Sequence, residues 1–233
     1  MPVVTFASPK GGVGKTTSAL ILATEIARSG VGVTVIDADP ENHIFHWSEK
    51  ATVPKNFYVM TGSDQDTIVD DIAKAQEKTP FVIIDMEGTA NMLVGYAMSQ
   101  SDLIIVPIKP SSLDARGAAK ALMLIKQQEK VLRRPLSHAI LLNAAKAAIK
   151  TRASFMIEKE LHKSDIPVLN TQLLEREAYR QIFAQGKVLE ELEGQYKLEN
   201  ATANARAFVN EVITLLKNSA SAETTNEEVK LHA

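Results

Sequence analysis

Residues 8–30, SPKGGVGKTTSALILATEIARSG, place a glycine-rich run between an apolar strand-like stretch and a helix-like one. A chain built this way must make a strand, a tight turn and a helix in immediate succession, which is the opening of a βαβ unit. Phosphate binding needs backbone N–H groups that converge on one point with no side chains in the way. Gly11, Gly12 and Gly14 can adopt the dihedrals this requires and let an oxyanion come close. The helix that follows adds its unpaired N-terminal amides and its dipole. The strict phosphate-loop pattern is Gly, four residues, then Gly-Lys-Ser/Thr. Counting back from Gly14-Lys15-Thr16, residue 9 should be Gly but is Pro9, and an extra lysine, Lys10, stands beside it.

The nucleotide-binding set expected from this pattern is Gly11, Gly12, Val13, Gly14, Lys15, Thr16 and Thr17. Lys15 is expected to reach the β- and γ-phosphates, the Thr16 hydroxyl to ligate Mg²⁺, and Thr17 to sit near the α-phosphate. The expected cofactors are ATP and Mg²⁺. The plain alternative is a glycine turn with a surface lysine. The strand before, the helix after and GKTT in register argue against it.

Short β-branched runs alternate with longer helical patterns along the chain. The strands expected are Val3–Ala7, Val33–Asp37, Phe57–Thr61, Phe81–Asp85, Leu103–Ile108, Ala139–Asn143 and Ile166–Leu169. The helices expected are Thr16–Ser29, Thr67–Lys78, Met92–Ser99, Arg116–Leu132, Thr151–Lys163, Arg176–Gln185 and Ala201–Lys217, with Gly30 capping the first. Several strands are apolar throughout, as happens when helices cover both faces of a parallel sheet. The fold class is α/β: a three-layer α/β/α domain over residues 1–218 with a mostly parallel twisted sheet. Residues 219–233, SASAETTNEEVKLHA, are polar and acidic without an apolar face, and disorder is expected there.

Two strand ends carry acids. VTVIDADP places Asp37 and Asp39, and FVIIDMEG places Asp85. In an open parallel sheet ligands bind at the carboxyl ends of the strands, so all three acids fall on the edge that carries the loop. Asp85 and Asp37 join Thr16 as the metal set. Asp39 suits orientation of the attacking water, a reaction that depends on positioning and charge stabilisation. The plain alternative for each is a cap or turn former, and convergence on one site argues against it.

The absence of cysteine excludes disulfides, thiolate catalysis and cysteine-ligated zinc or iron–sulfur sites. No apolar run approaches the ~20 residues that span a bilayer, and the N-terminal residues do not resemble a signal peptide. A cytoplasmic protein is expected. With 26 basic and 28 acidic residues the total charge does not announce nucleic-acid binding, so any such surface must be a local cluster.

KGGVGKTT, then DADP, then IIDMEG, resembles the ParA/MinD family of deviant Walker ATPases, over about residues 1–215. Within it the chain is similar to short ParF-like partition proteins and to ParA-like proteins of plasmid and T-DNA transfer. DADPENHIFHWSEKA, IKPSSLDARGAAKAL and IPVLNTQLLEREAYRQIFAQGKVLEEL agree with the same resemblance. It implies P-loop NTPase architecture and weak ATP hydrolysis stimulated by a ParB-like or cargo-adaptor partner. It also implies an ATP-dependent homodimer in which Lys10 reaches the partner copy's nucleotide. Catalysis would then rest on Lys10, Lys15 and Asp39. Asn143 matches a position that often contacts adenine, with a strand-end turn as the alternative. Glu41 and Glu87 depart from the family pattern. Glu87 is either a partner of Mg²⁺-bound water or a turn residue.

Segregation ATPases of this family bind DNA without sequence specificity and are nucleoid-associated. The candidate contacts here are Lys146, Lys150, Arg152, Arg176, Arg180 and Lys187. A solvated helix face is at least as good a reading of any one of them. A MinD-like membrane cycler would need a basic amphipathic C-terminal helix, which the acidic tail does not supply. A small-molecule ligase of the dethiobiotin-synthetase type would share the fold but gives Lys10 no role. No helix-turn-helix is expected ahead of the loop.

Overall fold

The computed structural model describes residues 1–88, 92–110, 112–145, 161, 166–194 and 196–231, with only the backbone described at 112–116 and 220–231. Seven strands form one sheet: β1 (Val3–Phe6), β2 (Val33–Ala38), β3 (Phe57–Thr61), β4 (Phe81–Met86), β5 (Leu103–Ile108), β6 (His138–Ala145) and β7 (Leu173–Leu174). Their order is β3-β2-β4-β1-β5-β6-β7, and every pairing is parallel. The helices are α1 (Lys15–Arg28), α2 (His43–Ser48), α3 (Ile68–Lys78), α4 (Met92–Ser99), α5 (Ser112–Leu132), α6 (Glu177–Gln185) and α7 (Leu198–Leu231).

The strands alternate their side chains between two cores, one on each face of the sheet. Val4 and Phe6 of β1, Ile83 of β4 and Leu103 and Ile105 of β5 pack with α1, α2, α6 and α7. Val3, Ile84, Ile104 and Val106 pack on the opposite face with α3, α4 and α5. Burial on both faces explains why β4 and β5 read as unbroken apolar runs. Each such side chain contributes ~1.5–3 kcal/mol of burial. The result is the three-layer α/β/α sandwich expected from the alternation of strands and helices. Gly30 sits just past α1 at φ +90°, and its N–H donates to the Ala27 carbonyl at 3.0 Å, which makes it the expected cap.

The structure departs from expectation at three places. Instead of a strand over Ile166–Leu169 there is a single bridge, Val168 with Ile140, and the seventh strand forms later at Leu173–Leu174. Ile140 donates its N–H to the Pro167 carbonyl (2.8 Å) and accepts from the Leu169 N–H (2.9 Å), while Pro167 has no N–H of its own to extend the ladder backward. Second, α2 lies in a stretch that carries no helix in the sequence reading. Third, the chain stays helical through the tail to Leu231 rather than losing order at Ser219. Extending an existing helix adds one hydrogen bond per residue fixed, and the tail includes the good helix formers Ala and Glu. The helix expected at Thr151–Lys163 falls outside the described residues apart from Leu161.

Candidate functional site

The loop leaves the central strand β1 and enters α1 at Gly14, whose φ of +91° puts it in the left-handed region. Gly12 is also left-handed, at +70°, and the backbone of Gly11 and Gly12 is exposed. Lys15 is buried, with 6 % of its surface exposed, and Thr16 and Thr17 are half-buried behind it. Gly88, just after β4, closes on the loop from the other side. A β-carbon there would lie 3.3 Å from the Gly11 nitrogen and 3.5 Å from Lys15 Nζ. Sequence reasoning did not single out Gly88; its position three residues past Asp85 is the only signal.

Asn143, at the end of β6, reaches under the loop. Its Nδ2 donates to the carbonyls of Val13 (2.9 Å) and Gly14 (3.1 Å) and to Ser18 Oγ (3.0 Å), and its Oδ1 accepts from the Ala144 N–H at 2.8 Å. Two backbone carbonyls can only accept, so the amide nitrogen must face them. Both ends of this buried amide are engaged by the chain itself, so Asn143 braces the loop, and its second Oδ1 lone pair is not taken by these bonds. A β-carbon on Gly14 would sit 2.1 Å from Asn143 Nδ2. Gly14→Ala combines this overlap with a left-handed φ that disfavours any side chain. It is expected to weaken nucleotide binding by about 100-fold or more, roughly 2.7 kcal/mol. Titration with a fluorescent ADP checks this, and unchanged affinity would remove the loop from the binding site.

The acids gather where the strand register puts them. Asp37 and Asp85 are paired residues of β2 and β4, and Phe6, which leads into the loop, pairs with Asp85 on its other side. Asp85 is fully buried. Burial pushes its carboxyl up from 3.8 to about 7; the Thr16 hydroxyl opposes this, Asp37 adds to it, and Lys15 opposes it. Both Asp85 oxygens are buried without a settled hydrogen-bond partner, although the Thr16 hydroxyl lies near. Asp37 is also pushed up by burial, against the amides of Phe45 and Ile44. Its Oδ2 accepts from Ile44 N (2.8 Å) and Phe45 N (3.0 Å), which nucleates α2, while its Oδ1 is buried without a partner.

Three orphaned, buried carboxylate oxygens beside a threonine hydroxyl and a lysine fit a hard divalent cation held partly through water. Among the described residues no group of three or more His, Asp or Glu side chains is arranged to hold a metal alone. Mg²⁺ keeps several waters and takes its remaining ligands from phosphates, so two carboxylates and one hydroxyl are enough for it. The residues therefore fit Mg²⁺, with Thr16, Asp37 and Asp85 around it.

Asp39 is half-buried. Its Oδ1 accepts from the Glu41 N–H at 3.0 Å, so it does form the turn that was its alternative reading. It also lines a cavity of about 450 Å³ with Asp37, Asp64 and Glu87, directly beside the metal set. Lys10 is half-buried at the start of the loop. Its stem runs along the first turns of α5, where a β-carbon on Gly117 would lie 3.6 Å from Lys10 Cβ.

The candidate DNA contacts are dispersed or already engaged. Lys146, Lys150 and Arg152 lie outside the described residues. Arg180 pairs with Glu175 (3.0 Å) and Glu177 (3.5 Å), and Lys187 pairs with Glu193. Arg176 is half-buried against Tyr179 and its Nε has no partner. Exposed ion pairs of this kind are worth at most about 1 kcal/mol, so a phosphate could displace them.

A glycine turn at the carboxyl edge of a parallel sheet, a buried lysine inside it and paired aspartates beside it define a P-loop nucleotide-binding domain. The chain belongs to the CobQ/CobB/MinD/ParA nucleotide binding domain family, whose model matches residues 4–212. It is 35% identical to protein ParA of Rhizobium radiobacter over 209 residues, 89% of this chain and 94% of the relative. The plasmid partition protein of Borrelia burgdorferi B31 bound to AMPPNP superposes with a TM-score of 0.69 at 19% identity, covering 90% of this chain and 99% of that one. The septum site-determining protein MinD of Pyrococcus horikoshii complexed with Mg-ADP superposes with a TM-score of 0.71 at 17% identity, covering 94% and 98%. No described helix is long and apolar enough to cross a membrane.

Proposed function

We propose that this chain is a ParA-type ATPase that closes as a homodimer over two ATP molecules, binds DNA without sequence specificity and positions a plasmid or other cargo. The observation that carries the reading is the presence of two lysines with different surroundings. Lys15 is already buried inside the loop under Gly88, whereas Lys10 stands just outside it along α5. A second cation at the rim is of use to a nucleotide held by a second copy. In a dry interface it would stabilise charge developing on the transferred phosphoryl group. The likeness to ParA supports partition as the task.

The geometry supports the following division of labour. The amides of the glycine turn and the α1 N-terminus hold the phosphates. Mg²⁺, when bound, neutralises β- and γ-phosphate charge. Thr16 and the Asp85 and Asp37 carboxylates hold its coordination shell, and Asp39 orients the water that attacks the γ-phosphate. A ParB-like or adaptor partner stimulates turnover, and the chain works in the cytoplasm on nucleoid DNA. The acidic residues of the tail, Glu223, Glu227 and Glu228, do not suit the anionic membrane surface that a MinD-like cycle would use.

Asp39→Ala is expected to hold ATP without turning it over, which lowers hydrolysis by about 100-fold and lengthens the life of the ATP-bound dimer. Steady-state phosphate release with light scattering reads both. Unchanged turnover would remove Asp39 from water positioning. The wider reading is tested by binding to unrelated duplex DNA across a salt series. ATP-dependent binding that falls steeply with salt supports it, and nucleotide-indifferent behaviour would favour a metabolic ligase of the same fold.

A further inference from the structure

We propose that Asn143 is a positioning residue that holds the phosphate loop in its binding shape before nucleotide arrives. The inference rests on the reading of the loop as a triphosphate cradle. A run of three glycines in four residues has many accessible conformations, and fixing it on binding would cost affinity. Asn143 fixes it in advance.

Nδ2 holds the carbonyls of Val13 and Gly14. In a trans peptide the N–H points opposite to the C=O, and no cis bond occurs among the described residues. Pinning those two carbonyls toward β6 therefore turns the N–H groups of Gly14 and Lys15 the other way, toward the open side of the turn. These are the amides a phosphate would meet. Ser18 reinforces the arrangement: its N–H and Oγ both donate to the Gly14 carbonyl, at 2.9 and 2.8 Å, and Oγ accepts from Asn143.

The anchor on the other side is also fixed. Asn143 Oδ1 accepts from the next N–H, Ala144 takes a left-handed φ of +50°, and the β6–β7 register shifts between Asn143 and Ala145. The strand end is bent around this one side chain.

The test is Asn143→Asp, which keeps the size but presents a carboxylate oxygen to two carbonyls. Binding is measured with Mg²⁺ for ATP, GTP and inorganic tripolyphosphate, the last by displacement of a fluorescent ADP. The bracing role predicts that all three weaken by a similar factor, about ten-fold or more. A loss confined to ATP would mean that Asn143 reads the base, and no loss at all would mean that it does neither; either result overturns the inference. Should Asn143→Asp not fold, Ser18→Ala removes one arm of the brace. It is expected to give a smaller loss that is again equal for the three ligands, and an ATP-only or absent loss there would overturn the inference equally. ATP binding by the unaltered chain is the control: its absence would overturn the triphosphate reading, and this inference with it.

Discussion

Asp85→Asn is expected to give a nucleotide-free chain that melts higher at pH 7.5 than the unaltered protein and yet has lost Mg²⁺-dependent hydrolysis. The reason is that the Asp85 carboxyl is raised in the folded state, from 3.8 to about 7, chiefly by burial. A folded carboxyl that keeps its proton while the unfolded one releases it makes folding more favourable in acid. Its contribution is full below about 4, declines as pH climbs toward 7 and is flat above. Each tenfold difference in proton affinity between the folded and unfolded chain is worth about 1.4 kcal/mol, so the ceiling on the destabilisation at pH 7.5 is about 4 kcal/mol. Asparagine carries no such charge. Part of the gain is offset because its amide is also buried without a partner.

Thermal unfolding between pH 4 and 8 should therefore show the two chains diverging as pH rises, the variant being the more stable by several degrees. Mg²⁺ with ATP should reverse the order, because only the unaltered chain has the carboxylate that the cation needs. Hydrolysis should fall by about 100-fold or more, the scale for losing metal stabilisation of phosphoryl charge. A variant that melts lower at every pH would mean that Asp85 is held by contacts other than those seen. A variant that hydrolyses ATP normally would take it out of the metal set.

Lys10→Ala is expected to separate binding from turnover. The side chain lies outside the glycine turn and along α5, so removing it leaves the cradle amides and Lys15 in place. Nucleotide affinity of the single chain should change less than about three-fold, roughly 0.6 kcal/mol. Dimer formation with a slowly hydrolysed ATP analogue should be lost. Hydrolysis should fall by about 10³-fold, the scale on which a cation supplied in trans acts on phosphoryl transfer. Normal dimerisation and hydrolysis by this variant would return Lys10 to the ordinary solvated lysines. Equal loss of ADP and ATP affinity would instead assign it to its own subunit's phosphates.

Much of this was legible in the residues. Strand runs such as LIIVPI carry their own length, and β3 and β5 have the bounds that the sequence suggests. The glycine turn and the two Asp-ending strands fix the edge on which chemistry can happen, because parallel register brings Asp37 level with Asp85. What the sequence does not carry is mostly a consequence of contacts far along the chain. The six residues of α2 are too few for a helical period to declare itself, and its N-terminus is held by a carboxylate several positions earlier that reads as a metal ligand. Trp47 marks this helix only in hindsight, through its indole N–H, which donates to the Ile182 carbonyl at 2.9 Å. Asn143 lies 130 residues from the carbonyl of Val13 that it holds. A strand-end Asn looks the same whether it faces a base, a turn or a loop. Gly88 reads as a turn glycine until its approach to Lys15 is seen.

The surface chemistry was the least legible. Arg180 and Lys187 looked like a basic face, but the acids that answer them sit at Glu175, Glu177 and Glu193, inside the same short segment. Charge on a helix is read in the sequence one residue at a time, whereas a ligand meets the local sum.

The central claim, that two copies close over trapped triphosphate, is tested most directly by the mass of the chain in solution. Size-exclusion chromatography with light scattering, in Mg²⁺ and either ADP or a slowly hydrolysed ATP analogue, should give the 25.4 kDa single chain with ADP and twice that mass with the analogue. The same single-chain mass in both, at protein concentrations well above nucleotide saturation, would contradict it.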